Sequence, residues 1–240
     1  MKIAIIGYGK MGHMIEEIAL ERGHSVVLKI NIENTEDFTE KNLRAADVAI
    51  EFTGPDSAFE NVMTCLKYGL PVVCGSTGWN NRIEDAKKFC KEKSGSFLQA
   101  SNFSIGVNIF FELNKLLAKL MSNQPEYEIQ MKETHHTQKK DAPSGTAVTL
   151  AEQIISGIHR KTAWVNHPSE NKNELYIISE RIDPAPGRHE VKYISEVDDI
   201  EIIHTAHNRK GFALGAVLAA EFIHDKKGIF SMKDVLGIGG

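Results

Sequence analysis

The sequence has no apolar run near the ~20 residues that a membrane-spanning helix needs. Its apolar start, Met1 to Ile6, stops at Gly7 and is too short for a secretory leader, so it reads as a first strand. Cysteine is scarce. Cys65, Cys74 and Cys90 are too few, and odd in number, for a disulfide framework. Buried, reduced thiols in a cytoplasmic protein are expected instead. An excess of positive charge is also missing: the formal net charge of -4 gives no electrostatic reason to bind nucleic acid. Neither nucleic acid nor a membrane is therefore expected as a partner.

Several catalytic signatures are absent too. There is no His-Glu-x-x-His pattern and no cysteine pair at zinc spacing, so no metal is expected. A Gly-x-Ser-x-Gly elbow is missing. None of the five tyrosines has a lysine four places on, so the short-chain dehydrogenase pair is not available.

What is present divides the chain in two. The first hundred residues alternate short apolar runs with helical periodicity. Strands are expected at Ile3 to Ile6, Val26 to Leu28, Val48 to Ile50 with Phe52, Pro71 to Cys74 and Ser96 to Leu98. Met11, Met14, Ile15, Ile18 and Ala19 recur at helical spacing, with Gly23 as the stop. A second helix is expected from about Ser57, where Ser57 and Glu60 have capping-box spacing. Such alternation implies a parallel, doubly wound sheet. After Asn102 the texture changes. Val107, Phe110, Leu113, Leu117 and Leu120 make a long amphipathic helix. Strand-like segments at 127–131, 175–178, 189–194 and 200–204 follow, with one helix beginning near Ser144. This is an α+β unit with a mixed or antiparallel sheet. A last helix, Phe212 to Ile223, is rich in Ala and Gly and is suited to pack back on the first unit.

Gly7-Tyr8-Gly9-Lys10-Met11-Gly12 matches Gly-x-Gly-x-x-Gly. The pattern is weak alone, but here it follows a strand and opens a helix, which points to a Rossmann-type dinucleotide site. The helix N-terminus offers N–H groups and partial positive charge to phosphates. Further loops lie after the later strands: Phe52 to Pro55, Gly75 to Gly78 and Ala100 to Phe103. Taken singly, each is equally well a plain turn.

Residues 133 to 147 pack two histidines and two lysines into six positions between a strand and a helix. Ser144 suits an N-cap, which leaves Gly145 and Thr146 at the first helical positions, where a carboxylate can bind. His135 and His136 can carry a proton near neutral pH, and Lys139 can neutralise an anion or protonate a nitrogen. A solvated basic loop is an equally good reading of the residues by themselves.

In combination these motifs resemble the dihydrodipicolinate reductase family. The matches run in order: Gly7 to Gly12, Gly75-Ser76-Thr77-Gly78-Trp79, Asn102 to Asn108, Glu133-x-His135-His136 through Lys139-x-Asp141-Ala142-Pro143-Ser144-Gly145-Thr146-Ala147, and Arg209-x-x-Phe212-Ala213-x-Gly215-Ala216. The resemblance covers nearly the whole chain, and the 133–147 segment is its most specific part. It implies a dinucleotide-binding domain over 1–103 and 209–240, and a substrate-binding and tetramerisation domain over 104–208. It implies hydride transfer from NADPH or NADH to a small cyclic imine dicarboxylate in diaminopimelate and lysine biosynthesis. His135 matches the family's general acid/base and Lys139 its second proton donor, while His136, Gly145 and Thr146 match substrate contacts. Cofactor contacts carry over to Gly7 through Gly12, Gly75, Ser76, Thr77, Ala100, Ser101, Asn102 and Phe103. A homotetramer is implied as well.

There are departures. Thr137-Gln138 stands where many members have basic residues, and Arg181 through His189 is richer in proline than the usual strand connection. At the end of the second strand Asn31 replaces the acidic residue of strict NAD enzymes; Lys10 and Lys29 are placed to attract a 2′-phosphate, although Lys29 reads equally as a solvated strand lysine and Glu33, two residues past Asn31, is placed to swing in as the missing acid. Both cofactors are therefore expected, with NADPH equal or preferred. The competing readings are another two-domain reductase or amino-acid dehydrogenase, and a non-catalytic NAD(P)H sensor, which would not need His135 or Lys139.

Overall fold

The computed structural model describes residues 1–238. The chain divides into two units, Met1–Ile105 together with the chain from Lys210 onward, and Gly106–Arg209.

The first unit begins with β1 (Lys2–Ile6), α1 (Lys10–Glu21), β2 (Ser25–Ile30), α2 (Glu40–Leu43) and β3 (Val48–Glu51). It continues with α3 (Pro55–Lys67), β4 (Val72–Cys74), α4 (Ile83–Glu92) and β5 (Ser96–Gln99). Successive strand residues face opposite sides of the sheet, and here both sides are covered. Ile3, Ile5, Ile50, Val73 and Leu98 belong to one core. Ala4, Ile6, Ala49, Val72, Cys74 and Phe97 belong to the other. That is why these strands read as unbroken apolar runs.

One expectation fails locally. α3 starts at Pro55 with Gly54 as its N-cap, so Ser57 and Glu60 form no capping box. Proline suits the first helical position, because its φ is fixed and its missing N–H would have been unpaired there anyway. Ser57 instead donates its hydroxyl to Thr53 Oγ1 at 2.9 Å.

The second unit holds most of α5 (Ile105–Met121), then β6 (Glu128–His135), α6 (Gly145–Gly157), β7 (Ala163–Val165), β8 (Glu174–Arg181), β9 (Gly187–Ile194) and β10 (Asp199–Ala206). Its five strands lie in the order β10-β9-β6-β8-β7. β6 pairs parallel with β8 and antiparallel with β9, so the sheet is mixed. Buried and less buried residues alternate along β6 and β9, as expected when one face alone carries a core. Phe110, Leu117 and Met121 of α5 and Leu150 and Ile154 of α6 pack there against Met131, Ile177 and Val191.

The chain then returns to the first unit through α7 (Lys210–Ile223), β11 (Gly228–Phe230) and α8 (Met232–Leu236). β11 and α8 extend past the last element expected from sequence, and β7 was also unforeseen. At three residues each, β7 and β11 are too short to leave a periodic trace. With β11 the first sheet has six strands, all parallel, in the order β11-β5-β4-β3-β1-β2. Strand order reverses between β1 and β3, which makes the crevice beyond their C-terminal ends the natural ligand position.

Among the described residues no helix is long and apolar enough to cross a membrane. The three cysteines are unpaired and buried. Burial and the Glu51 carboxylate push the Cys65 and Cys74 thiols up, so both stay protonated.

Small residues on α7 let it lie close to the sheet. A Cβ on Gly215 would stand 1.7 Å from the Phe103 carbonyl oxygen, a contact no side-chain rotation relieves. Gly215→Ala is expected to destabilise the protein by at least the ~1–3 kcal/mol typical of overpacking. Denaturant unfolding checks this; wild-type stability would show that α7 can shift at no cost.

Candidate active site

The glycine loop follows β1 directly. Gly7 has φ +97, and a Cβ there would lie 2.2 Å from the Phe52 carbonyl oxygen, so glycine is required. Gly12 lets α1 approach the turn, since its Cβ would stand 2.7 Å from the Gly7 oxygen. Lys10 and Met11 occupy the first turn of α1.

A cavity of about 750 Å³ opens beyond these strand ends. Gly7, Tyr8 and Gly9 form one side, Ile30, Asn31, Ile32, Glu33 and Phe38 another, and Phe52, Thr53, Gly54 and Asp56 a third. Its size falls within the ~300–1,000 Å³ of small-molecule sites. Apolar walls beside a helix N-terminus suit the adenosine and pyrophosphate of a dinucleotide.

The other expected cofactor loops stand beside this cavity. Phe52 joins them to it: a Cβ on Gly75 would strike the Phe52 ring at 2.2 Å, and the Phe103 ring lies 5.5 Å from the Phe52 ring. Behind them sits a residue that sequence reasoning passed over, the fully buried Glu51. Its Oε1 accepts hydrogen bonds from the Thr53 N–H at 3.0 Å, the Ser76 hydroxyl at 3.1 Å and the Thr53 hydroxyl. Its Oε2 accepts from the Cys74 thiol at 2.9 Å. One carboxylate thus ties the loops after β3 and β4 together. The signal was a lone acid at the end of an apolar strand. Trp79 Nε1 secures the second of these loops by donating to the Ser76 carbonyl at 2.8 Å.

Lys29 is paired within its own unit. Its ammonium lies 2.5 Å from Glu16 Oε1 and over the Tyr8 ring, and the Tyr8 hydroxyl donates to the same glutamate. Asn31 Oδ1 accepts from the Glu33 N–H at 2.7 Å, closing a small turn at the end of β2.

In the second unit, His135 is the last residue of β6 and is 7% exposed. Glu133, two places earlier, shares its face and is fully buried. His135 Nδ1 stands 3.0 Å from Glu133 Oε2, and neither atom has a formal hydrogen-bond partner. Glu133 Oε1 accepts from the Ser144 N–H and from Arg181, each at 3.1 Å. Burial pushes the Glu133 carboxyl up, but contacts from His135, Ser144 and Ser179 outweigh it and hold the group well below the usual carboxylate range. His189 lies across the ladder on β9, with Nε2 3.1 Å from the Ser144 hydroxyl and 3.9 Å from Glu133 Oε2. Burial, with help from the neighbouring His135, lowers its pKa to about 3, so His189 is neutral.

The loop after β6 carries His136 and Lys139, and the Lys139 ammonium is 2.8 Å from Asp141. Arg181, the last residue of β8, and Asp183 of the β8–β9 connection strap this loop down. Arg181 donates to the carbonyls of Lys139 and Asp141, and Asp183 accepts from the Thr137 N–H and hydroxyl at 3.1 and 2.6 Å. Ser144 caps α6, its hydroxyl accepting from the Ala147 N–H at 3.2 Å. Gly145 and Thr146 are the first two helical residues, and Gly145 is exposed with open space around it.

Glu133, His135 and His189 are a group of described residues whose donor atoms lie close enough, within 4.8 Å, to hold a metal. A cation there would have to compete with the Arg181 guanidinium for Glu133 and with Ser144 for His189, so the set fits a hydrogen-bonded proton site better than a metal cage.

Comparison with known proteins agrees with this geometry. The family model for the dihydrodipicolinate reductase N-terminus matches residues 1–103, and that for its C-terminus matches residues 106–236. The chain belongs to the dihydrodipicolinate reductase family. It is similar to the 4-hydroxy-tetrahydrodipicolinate reductase of Christiangramia forsetii, at 48% identity over 98% of both chains. It is also similar to that of Alkaliphilus metalliredigens, at 35% identity over 99% of this chain and 100% of the relative. A solved dipicolinate-bound dihydrodipicolinate reductase from Paenisporosarcina sp. TG-14 shares the fold, with a TM-score of 0.80, 21% identity and coverage of 96% and 97%. A probable dehydrogenase from Thermotoga maritima shares it more loosely, with a TM-score of 0.56, 9% identity and coverage of 99% and 93%. The chain is therefore an oxidoreductase with a dinucleotide-binding domain, and the sensor reading falls away.

The neutral His189 makes the protein acid-sensitive. Between pH 6.5 and about 3 the unfolded imidazole takes a proton that the folded one refuses, so stability is full above 6.5 and declines as pH falls. His204, also lowered by burial, and the depressed Glu133 act in the same direction. His189→Asn should flatten the decline between pH 6.5 and 4.5, measured by urea unfolding at each pH. An unchanged slope would show that His189 titrates freely in the folded protein.

Proposed function

We propose that this chain reduces 4-hydroxy-tetrahydrodipicolinate to tetrahydrodipicolinate in diaminopimelate and lysine biosynthesis. The observation that carries the reading is the 133–147 segment, where a buried acid–histidine pair stands beside a lysine loop and an open helix N-terminus. When bound, the reduced nicotinamide supplies the hydride. This chain's own residues then receive an anionic substrate and supply the proton. Gly145 and Thr146 open α6 with its positive end, which attracts one substrate carboxylate, and His136 completes that contact. His135 holds the proton for the ring, and Lys139 delivers positive charge and a proton near the ring nitrogen. The exposed Ile200 and Ile203 on edge strand β10 favour assembly through the second unit, consistent with a homotetramer. Unpaired buried thiols favour a cytoplasmic setting.

General acid catalysis is worth roughly 10²–10⁴-fold. With the pyruvate–aspartate semialdehyde condensation product as substrate, His135→Ala and Lys139→Ala should each lower kcat by at least about a hundredfold with cofactor affinity nearly intact. Near-wild-type turnover in both would remove the proton-donor assignment.

For the cofactor, the cavity lining brings Glu33 and Asp56 but no lysine or arginine among the described residues, and Lys29 is neutralised by Glu16. The case for a preferred 2′-phosphate then rests on Lys10 alone. Both cofactors are used, NADH at least as readily as NADPH. Asn31→Asp keeps the acceptor for the Glu33 N–H and adds charge, so it should move the preference further to NADH by roughly 1–3 kcal/mol. Steady-state kcat/KM for each cofactor decides it, and a strong wild-type preference for NADPH would contradict the charge reading.

A further inference from the structure

We propose that Glu133 is a positioning residue that selects which nitrogen of His135 releases the proton, by holding a hydrogen on Nδ1 and leaving Nε2 as the donor atom. This rests on the proton-donor reading of His135 and adds a named device to it.

Two buried atoms of the site lack a hydrogen-bond partner. Glu133 Oε2 and His135 Nδ1 are both buried, and neither has another hydrogen-bond partner. They stand 3.0 Å apart. A buried polar atom left unpaired is costly, so a small ring rotation that aims the N–H at the carboxylate is favoured. The other carboxylate oxygen is committed, since Oε1 already takes the Ser144 N–H and Arg181. Those two anchors fix the carboxylate and leave Oε2 as an acceptor facing the imidazole.

The remaining charged neighbours do not offer a rival acceptor for Nδ1. His189 is neutral and engaged with Ser144, with its Nε2 3.9 Å from Glu133 Oε2. Arg181 is a donor only, Lys139 is paired with Asp141, and Glu180 is paired with Lys132 and Thr134. On the far side of the ring, Nε2 faces Gly187, where even a Cβ would lie 3.2 Å away. A side chain there would cover Nε2, and glycine leaves it open.

With Nδ1–H held by Glu133, the charged ring gives up its Nε2 proton. The N–H bond at Nε2 breaks, its electron pair stays on that nitrogen, and the proton goes to the reduced substrate ring. The neutral ring left behind is the Nδ1–H tautomer, stabilised by the same carboxylate, and it is recharged from solvent. Glu133→Gln disrupts this selectively. The amide oxygen is drawn to the two donors on the Oε1 side, which turns the NH₂ toward His135. Nδ1 must then accept, and the hydrogen moves to Nε2.

Histidine nitrogen NMR on the full-length protein, with the His135 signals assigned by difference against His135→Gln, reads the tautomer directly. Wild type should show Nδ1 protonated and Nε2 bare in the neutral ring, and Glu133→Gln should reverse them. Its kcat should fall at least about tenfold, within the up to ~10⁴-fold seen when an amide replaces a histidine-orienting carboxylate, with the KM for NADH unmoved. A merely structural glutamate would change stability and leave the tautomer as it was. A bare Nδ1 in wild type, which needs no variant to fold, or an unchanged tautomer in Glu133→Gln, overturns the proposal. A reversed tautomer with undiminished kcat leaves the positioning intact and overturns the proton-donor reading on which its catalytic meaning depends.

Discussion

Glu51 and Glu133 each carry a carboxylate into a place closed to water. Such a group costs several kcal/mol unless donors converge on it. Both lie at or near the C-terminal end of a strand, where the chain is about to leave its sheet. Satisfying them therefore organises loops. Glu51 draws in Thr53, Cys74 and Ser76 and so sets the turns beyond β3 and β4. Glu133 draws in Ser144, Arg181 and His135, which fixes the start of α6, the lysine loop and the imidazole at once. The net stability from such pairs is small, because desolvation offsets most of the attraction. Their consequence is uniqueness: the loops have one arrangement in which the charge is met, and the alternatives leave it bare.

The sequence was legible where physics is local. Apolar runs marked the parallel strands, because both faces of that sheet are covered. Gly7, Gly9 and Gly12 marked the dinucleotide turn, because contacts of 2.2 and 2.7 Å admit no Cβ at the first and last of these positions. Ser144 was readable as a cap from its place before an apolar helix. What could not be read joins residues far apart in the chain. Arg181 meets Glu133 across 48 positions and Asp183 meets Thr137 across 46, and neither pairing has a period. Glu133 lay inside the most specific motif yet had no assigned role, since its duty shows only once β6 places it behind His135.

Two departures from the family pattern turn out to be coupled. Thr137 stands where the resemblance implies a basic residue, and the 181–189 connection carries Pro184 and Pro186. In the folded chain Asp183 receives both the Thr137 N–H and its hydroxyl, and the Ile182 N–H donates to the His135 carbonyl at 2.8 Å. A neutral donor on one loop is matched by an acceptor on the other. The lysine loop is thus held by hydrogen bonds to a neighbouring connection where surface charge would be screened by salt. By its composition the proline-rich stretch looked like a disturbance of the sheet, but it serves as the strap of the site.

Charge near the adenosine end teaches the same lesson about counting residues without their partners. Lys29, read along a strand, looked available to a phosphate. At 2.5 Å from Glu16 it forms a near-contact ion pair whose field falls off faster than that of a lone cation, and solvent weakens it further. Tyr8 tightens the arrangement by donating to the same carboxylate from the glycine loop itself. What a 2′-phosphate would meet is the uncompensated remainder: Lys10 at the start of α1, against Glu33 and Asp56 on the cavity wall. That balance does not favour extra negative charge. On the proposed reading, cofactor choice follows which charges remain unpaired around the cavity, and the residue ending strand two is only one contribution to it.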